Sequence, residues 1–136
     1  ALKIKSNYIE NNLLYSTHID FITFYVLCHL HNINFILRDK YFYWENNKHD
    51  DPNFYIIKIV DKNTHLYIKN YKKDEIIDEI KSKCVQSQLK SKIKTFSNYK
   101  LSDIHDICNK LNINIFNNSN KKKTKKILYN EILEYI

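Results

Sequence analysis

The chain of 136 residues contains no glycine and no methionine, and Pro52 is its only proline. Without glycine, a turn that needs left-handed backbone falls to another residue, and asparagine tolerates that region better than most. The absence of an initiator methionine ahead of Ala1 points to a processed chain or an excised fragment. Cysteine is scarce: Cys28, Cys84 and Cys108 are odd in number, far apart and form no C-x-x-C pair. That argues against a disulfide framework and for buried free thiols in a reducing compartment. No stretch approaches the roughly 18 apolar residues of a membrane span. The opening ALKIKSNYIENN lacks the apolar centre of a signal peptide. The expectation is a soluble, intracellular protein with no membrane partner.

What is present bounds the rest. Hydrophobic residues make up 43% of the chain, enough for a packed core, so wholesale disorder is not expected. The length fits one domain, or a small domain with an appended motif. Ile, Asn, Lys and Tyr are in excess, the bias an A+T-rich genome imposes, so lysine content alone says little. Its distribution says more. Residues 1–88 carry 12 Lys and Arg against 11 Asp and Glu, a net of +1. Residues 89–136 carry 10 lysines against Asp103, Asp106, Glu131 and Glu134, a net of +6. Codon bias acts on both halves alike; the asymmetry therefore reads as a nucleic-acid footprint.

Periodicity predicts an α+β protein. Thr17 is the expected N-cap of a first helix, with Asp20 in its first turn. Residues 19–30 are apolar nearly all round, the pattern of a buried central helix, ending near His31 and Asn32. Short strands follow at 33–37, 41–45, Phe54–Val60 and 65–69, separated by turns at 38–40 and 61–64 and a polar loop at 46–53. Short polar turns between such strands suggest an antiparallel meander. Residues 74–89 repeat apolar side chains at Ile76, Ile77, Ile80, Cys84 and Val85, the stripe of a surface helix. The expected organisation is a helix-plus-antiparallel-sheet body at 1–88, a linker at 89–97 and a helix pair at 98–136.

That pair carries the chemistry. Ser102 is the expected cap of a helix with an apolar face of Ile104, Ile107, Cys108 and Leu111. Ile113 and Ile115 lie in an extended stretch able to pack across both helices. Thr124 caps the second helix, whose apolar positions are Ile127, Leu128, Ile132 and Tyr135. Helices of about 11 residues are marginal alone, so the two must pack together. Lysines at a helix start oppose the macrodipole at a cost of about 0.3–1 kcal/mol. A bound phosphate would reverse the sign of that effect and accept the free N–H groups of the first turn.

Three segments carry a family resemblance: Tyr99-Lys100-Leu101-Ser102-Asp103-Ile104, then Ile107-Cys108-x-x-Leu111-x-Ile113, then Lys125-Lys126-Ile127-Leu128-x-x-x-Ile132-Leu133. Their arrangement resembles the SAP-type helix–extended–helix motif and the similar N-terminal module of terminator Rho. The resemblance implies DNA or RNA binding through the loop and the start of the second helix. It gives that role to Lys100, Asn120, Lys121, Lys122, Lys123, Thr124, Lys125 and Lys126. The departure is the loop, where 117–120 is Asn-Asn-Ser-Asn in place of the usual glycine. The whole chain is also similar to uncharacterised proteins of nucleocytoplasmic large DNA viruses. That likeness implies host cytoplasm or virion and supplies no activity.

Two other readings compete. The first is a protein-interaction or structural module, docking through the strand Tyr41, Phe42, Tyr43 and Trp44, of which one face should be core and the other exposed. The second rests on a helix leading into strands, with His65 opening a late one, which resembles papain-like and OTU-type cysteine proteases. The helix start Ser16-Thr17-His18-Ile19-Asp20 holds no cysteine, and Cys28 falls nearly three turns later, so that resemblance implies an inactive or degenerate site. His29 and His31 point to different helix faces, and His49, Asp50 and Asp51 read as a solvated loop. His105 reads as solvated or facing phosphate, and Asp74, Glu75, Asp78 and Glu79 as favouring a helix start. No catalytic residue, metal or cofactor is expected; the expected partner is nucleic acid, DNA favoured over RNA.

Overall fold

The computed structural model describes residues 3–46, 54–60, 63–67 and 73–136. The loop with His49, Asp50, Asp51 and Pro52, and residues 61 and 62 of the expected turn, lie outside the described residues. The elements run α1 (Ser6–Tyr15), α2 (Phe21–Leu30), β1 (Asn34–Arg38), β2 (Phe42–Asn46), β3 (Phe54–Val60) and β4 (Asn63–Tyr67). They continue with α3 (Lys73–Lys83), β5 (Val85–Gln86), a 3₁₀ turn (Phe96–Asn98), α4 (Leu101–Leu111) and α5 (Lys125–Leu133). The class is α+β, as the periodicity predicts.

The sheet is mixed, where an antiparallel meander was expected. Its order is β4-β3-β1-β2-β5, with β1 parallel to β3 and β2 parallel to β5. Only β1–β2 and β3–β4 are antiparallel neighbours. The Asp39 carboxylate takes the N–H groups of Tyr41 and Phe42 at 2.8 and 2.7 Å, which tightens the β1–β2 turn into a hairpin. β3 then joins the free edge of β1 and not that of β2. Apolar alternation reports which residues face inward, but not which edge a strand joins.

Both faces of the sheet are covered. On one, Phe35, Leu37 and Ile57 pack with Cys28 of α2, and Phe42 packs with α4 and α5. On the other, Ile36, Tyr43, Phe54 and Ile56 pack with Ile80 and Cys84 at the end of α3. Phe42 and Tyr43 point to opposite sides and both are buried. The aromatic strand therefore has no bare face, contrary to expectation.

Three helix boundaries and one helix differ from the sequence expectation. Asp20, not Thr17, caps α2: its carboxylate accepts the Thr23 N–H at 2.7 Å. α2 is not a central buried helix either, since only Thr23 and Cys28 are buried and Ile19 and Leu30 are 45% and 67% exposed. It lies on the sheet with one side outward. α3 stops at Lys83, because Val85 and Ser87 donate their N–H groups at 2.8 Å to Tyr41 and Tyr43 of the sheet. Lys110 Nζ caps that helix end, donating to the carbonyls of Lys81 and Cys84 at 2.8 and 3.0 Å. Ser102 sits inside the first turn of α4; the cap position is Lys100, whose N–H donates to Asp103 Oδ2 at 2.8 Å. The unexpected helix is α1, which buries no residue. It is tied to α2 by the Tyr8 hydroxyl donating to Asp20 and by the Asp20 N–H donating to Asn12 Oδ1 at 3.0 Å.

The C-terminal helices share their core with the sheet. Ile104, Cys108, Leu128 and Ile132 are fully buried together with Phe42, and Val85, Ile93, Ile107 and Leu111 complete the cluster. Burying each large aliphatic side chain contributes about 1.5–3 kcal/mol. Ile93 brings the 89–97 segment into this core, and Lys92 Nζ meets Asp39 Oδ2 at 3.0 Å beside it. The helix pair is thus seated on the β2–β5 end of the sheet.

Candidate nucleic-acid interface

The chain between α4 and α5 is a tight hairpin built by asparagines. Asn112, in the left-handed region at φ 57°, ends α4, and Ile113 N–H reaches back to Cys108 carbonyl at 2.8 Å. Ile113 and Ile115 pack on the shared core, as the sequence pattern predicts. Phe116 then bridges Lys122 in antiparallel fashion. Asn117 N–H donates to Lys121 carbonyl at 2.9 Å, and Lys123 N–H to Ile115 carbonyl at 2.9 Å. At the tip, Asn117 Oδ1 accepts the N–H groups of Ser119 and Lys121. Asn120 takes φ 59°, in the left-handed region that glycine reaches most readily.

The eight sequence-predicted residues separate by what they already touch. Asn120 forms the turn. Thr124 caps α5, its hydroxyl accepting the Ile127 N–H at 3.4 Å. Lys123 folds back and grips both oxygens of Glu131 at 2.8 and 2.9 Å, a half-buried pair that joins the hairpin to α5. Lys125 Nζ lies 4.3 Å above the Phe96 ring. Lys100, Lys121, Lys122 and Lys126 are exposed, and among the described residues none has a carboxylate partner.

The sequence reading misses a group of aromatics beside these lysines. Tyr99 hydroxyl accepts the Lys94 N–H at 2.9 Å, and Tyr129 hydroxyl donates to the Lys94 carbonyl at 2.9 Å. Two hydroxyls on one peptide position hold the 3₁₀ turn against α5. Phe96, at the start of that turn, meets the edge of Tyr129 at 5.4 Å and 75° and remains 40% exposed. Lys125 and Tyr129 stand four residues apart on one side of α5, which is why both reach the same ring. The available signal was the interleaving of Lys94, Phe96, Tyr99 and Lys100, masked by the polar composition of the segment.

Elsewhere the chemistry is quiet. Burial pushes the thiols of Cys28, Cys84 and Cys108 up, away from the reactive thiolate. Cys28 sits among Phe35, Leu37 and Ile57, and the register sets His65 opposite Lys58 on β4. His105 lies within α4, half-buried, with its Nε2 atom buried and without a hydrogen-bond partner among the described residues. Asp74 and Glu75 stand exposed in the first turn of α3, where carboxylates favour the helix dipole. Among the described residues no three His, Cys, Asp or Glu side chains are grouped to hold a metal ion. No helix among them is long and apolar enough to cross a membrane. No protein-family model, curated protein or solved structure matches this chain.

Proposed function

We propose that the protein is a non-catalytic nucleic-acid binder that contacts phosphates through its C-terminal lysines, with DNA favoured over RNA. The observation that carries this reading is a group of exposed lysines, without carboxylate partners among the described residues, around the hairpin and the starts of α4 and α5. Lys81, Lys83, Lys92 and Lys123 each hold a carboxylate, whereas exposed Lys100, Lys121, Lys122 and Lys126 hold none among the described residues. These four sit around the hairpin and the helix starts, in the half of the chain with a net charge of +6. The likeness to SAP-type motifs supports the same assignment, with Asn120 in glycine's place. Contacts of this kind fix the protein on the phosphate backbone and carry little base specificity.

The test is a salt titration of binding to a labelled duplex. Affinity should fall linearly in log–log form, with a slope of about −0.9 per phosphate neutralised. Changing Lys121, Lys122 and Lys126 together to Ala should make the slope shallower by about 3 while leaving the far-ultraviolet circular dichroism unchanged. Salt-independent binding, or no binding at low salt, overturns the reading.

A further inference from the structure

The groups that surround Phe96 do two things at once. Lys125 Nζ stands over the Phe96 ring, and Lys94 Nζ lies 5.9 Å from the centre of the neighbouring Tyr99 ring. Tyr99 accepts from the Lys94 N–H and Tyr129 donates to the Lys94 carbonyl, so both rings are anchored on one backbone position beside Phe96. Of the two carboxylates that line the groove beside Lys94 and Tyr99, Asp103 and Asp106, the first accepts the Lys100 N–H. The result is a half-exposed aromatic ring beside two anchored tyrosines, with a lysine ammonium against it.

A duplex hides its base faces and would meet such a ring only with phosphate and sugar. An unpaired strand offers both a polyanion and flat faces that stack without regard to sequence. We infer that Phe96, supported by Tyr129 and Tyr99 with Lys94 and Lys125 beside them, is a base-stacking platform for an unpaired nucleic-acid strand. The inference rests on the phosphate-binding reading above and adds the form of nucleic acid. Lys125 stands next to Lys126 in the lysine run, so a strand whose phosphates follow that run is led onto the ring.

The full chain is titrated with three labelled probes of equal charge: an oligothymidylate, its abasic counterpart and a duplex. The oligothymidylate should bind tightest. Phe96→Ala should weaken it by about 5- to 150-fold, the range for losing one stacked base, with the abasic strand and the duplex unchanged. Phe96→Tyr should restore it. Equal loss on all three probes, no loss on any, or a duplex bound as tightly as the oligothymidylate overturns the platform while leaving salt-dependent phosphate binding standing. Absence of binding by every probe at low salt removes both readings together. Phe96 is 40% exposed, so its truncation leaves the buried cluster of Phe42, Ile104 and Leu128 in place.

Discussion

The two ends of the chain are each a pair of helices about ten residues long, but the first of them, α1, is held quite differently from the C-terminal pair. At the C-terminus, α4 and α5 bury Ile104, Cys108, Leu128 and Ile132 completely and share that core with Phe42 of the sheet. At the N-terminus, α1 buries nothing, and Leu14 and Tyr15 are 71% and 80% exposed. It is held by polar ties from Tyr8 and Asn12 to Asp20. Helices this short are marginal by propensity, so packing decides their stability. The lysines that carry the proposed function lie on the firmly seated pair and on the hairpin between its helices.

The largest effect should separate the two ends outright. Leu128→Ala should cost about 2–5 kcal/mol, from lost burial plus a cavity, whereas Leu14→Ala should stay within about 0.5 kcal/mol. Urea denaturation measures both; similar losses would mean that α1 is packed as tightly as α5. The helix caps give a smaller and sharper comparison. Asp20→Ala and Thr124→Ala should each cost about 1 kcal/mol, but only the first should also release α1, visible as lost hydrogen-exchange protection at residues 10–15. Protection kept in Asp20→Ala would show that the polar ties do not hold the helix.

The smallest effect is a pH dependence confined to the N-terminal pair. Burial alone would raise the Asp20 carboxyl, but hydrogen bonds from the Tyr8 hydroxyl and the Thr23 N–H outweigh it and hold the group below its ordinary range. A carboxyl lowered in the folded state stabilises above its unfolded pKa of about 4, and that contribution fades as pH falls through the folded value. Protection in α1 should therefore decline on acidification below pH 4, before that of α5. Parallel loss in both helices would assign the acid response to the whole fold.

The C-terminal pair was the most legible part of the sequence. Ile104, Ile107, Cys108, Leu111, Leu128 and Ile132 follow the helical repeat and are all buried, and Thr124 is the cap. Both signals are local. Sheet order was not legible, because β3 pairs with β1 through contacts between residues distant in sequence. The end of α3 was hidden for a similar reason: the stripe Ile80, Cys84, Val85 fits a helix, yet Tyr41 and Tyr43 carbonyls draw Val85 and Ser87 into the sheet. Of the lysine run, the sequence located every member but not its engagement. That Lys123 turns back onto Glu131, and that Lys125 covers Phe96, depends on how the hairpin and the 3₁₀ turn meet α5. Phe96 itself went unnoticed because a lone aromatic in a polar stretch has no periodicity to betray it.

Asn32, Asn112 and Asn120 hold the three left-handed positions among the described residues, at φ 54°, 57° and 59°. A glycine would reach those angles with less steric cost, but it would also leave the denatured chain freer. Each glycine avoided at a site the replacement can adopt lowers the disorder lost on folding, by about 0.4–1 kcal/mol. The asparagines thus act on the state in which the protein is not folded: a chain without glycine begins its search from a narrower set of shapes.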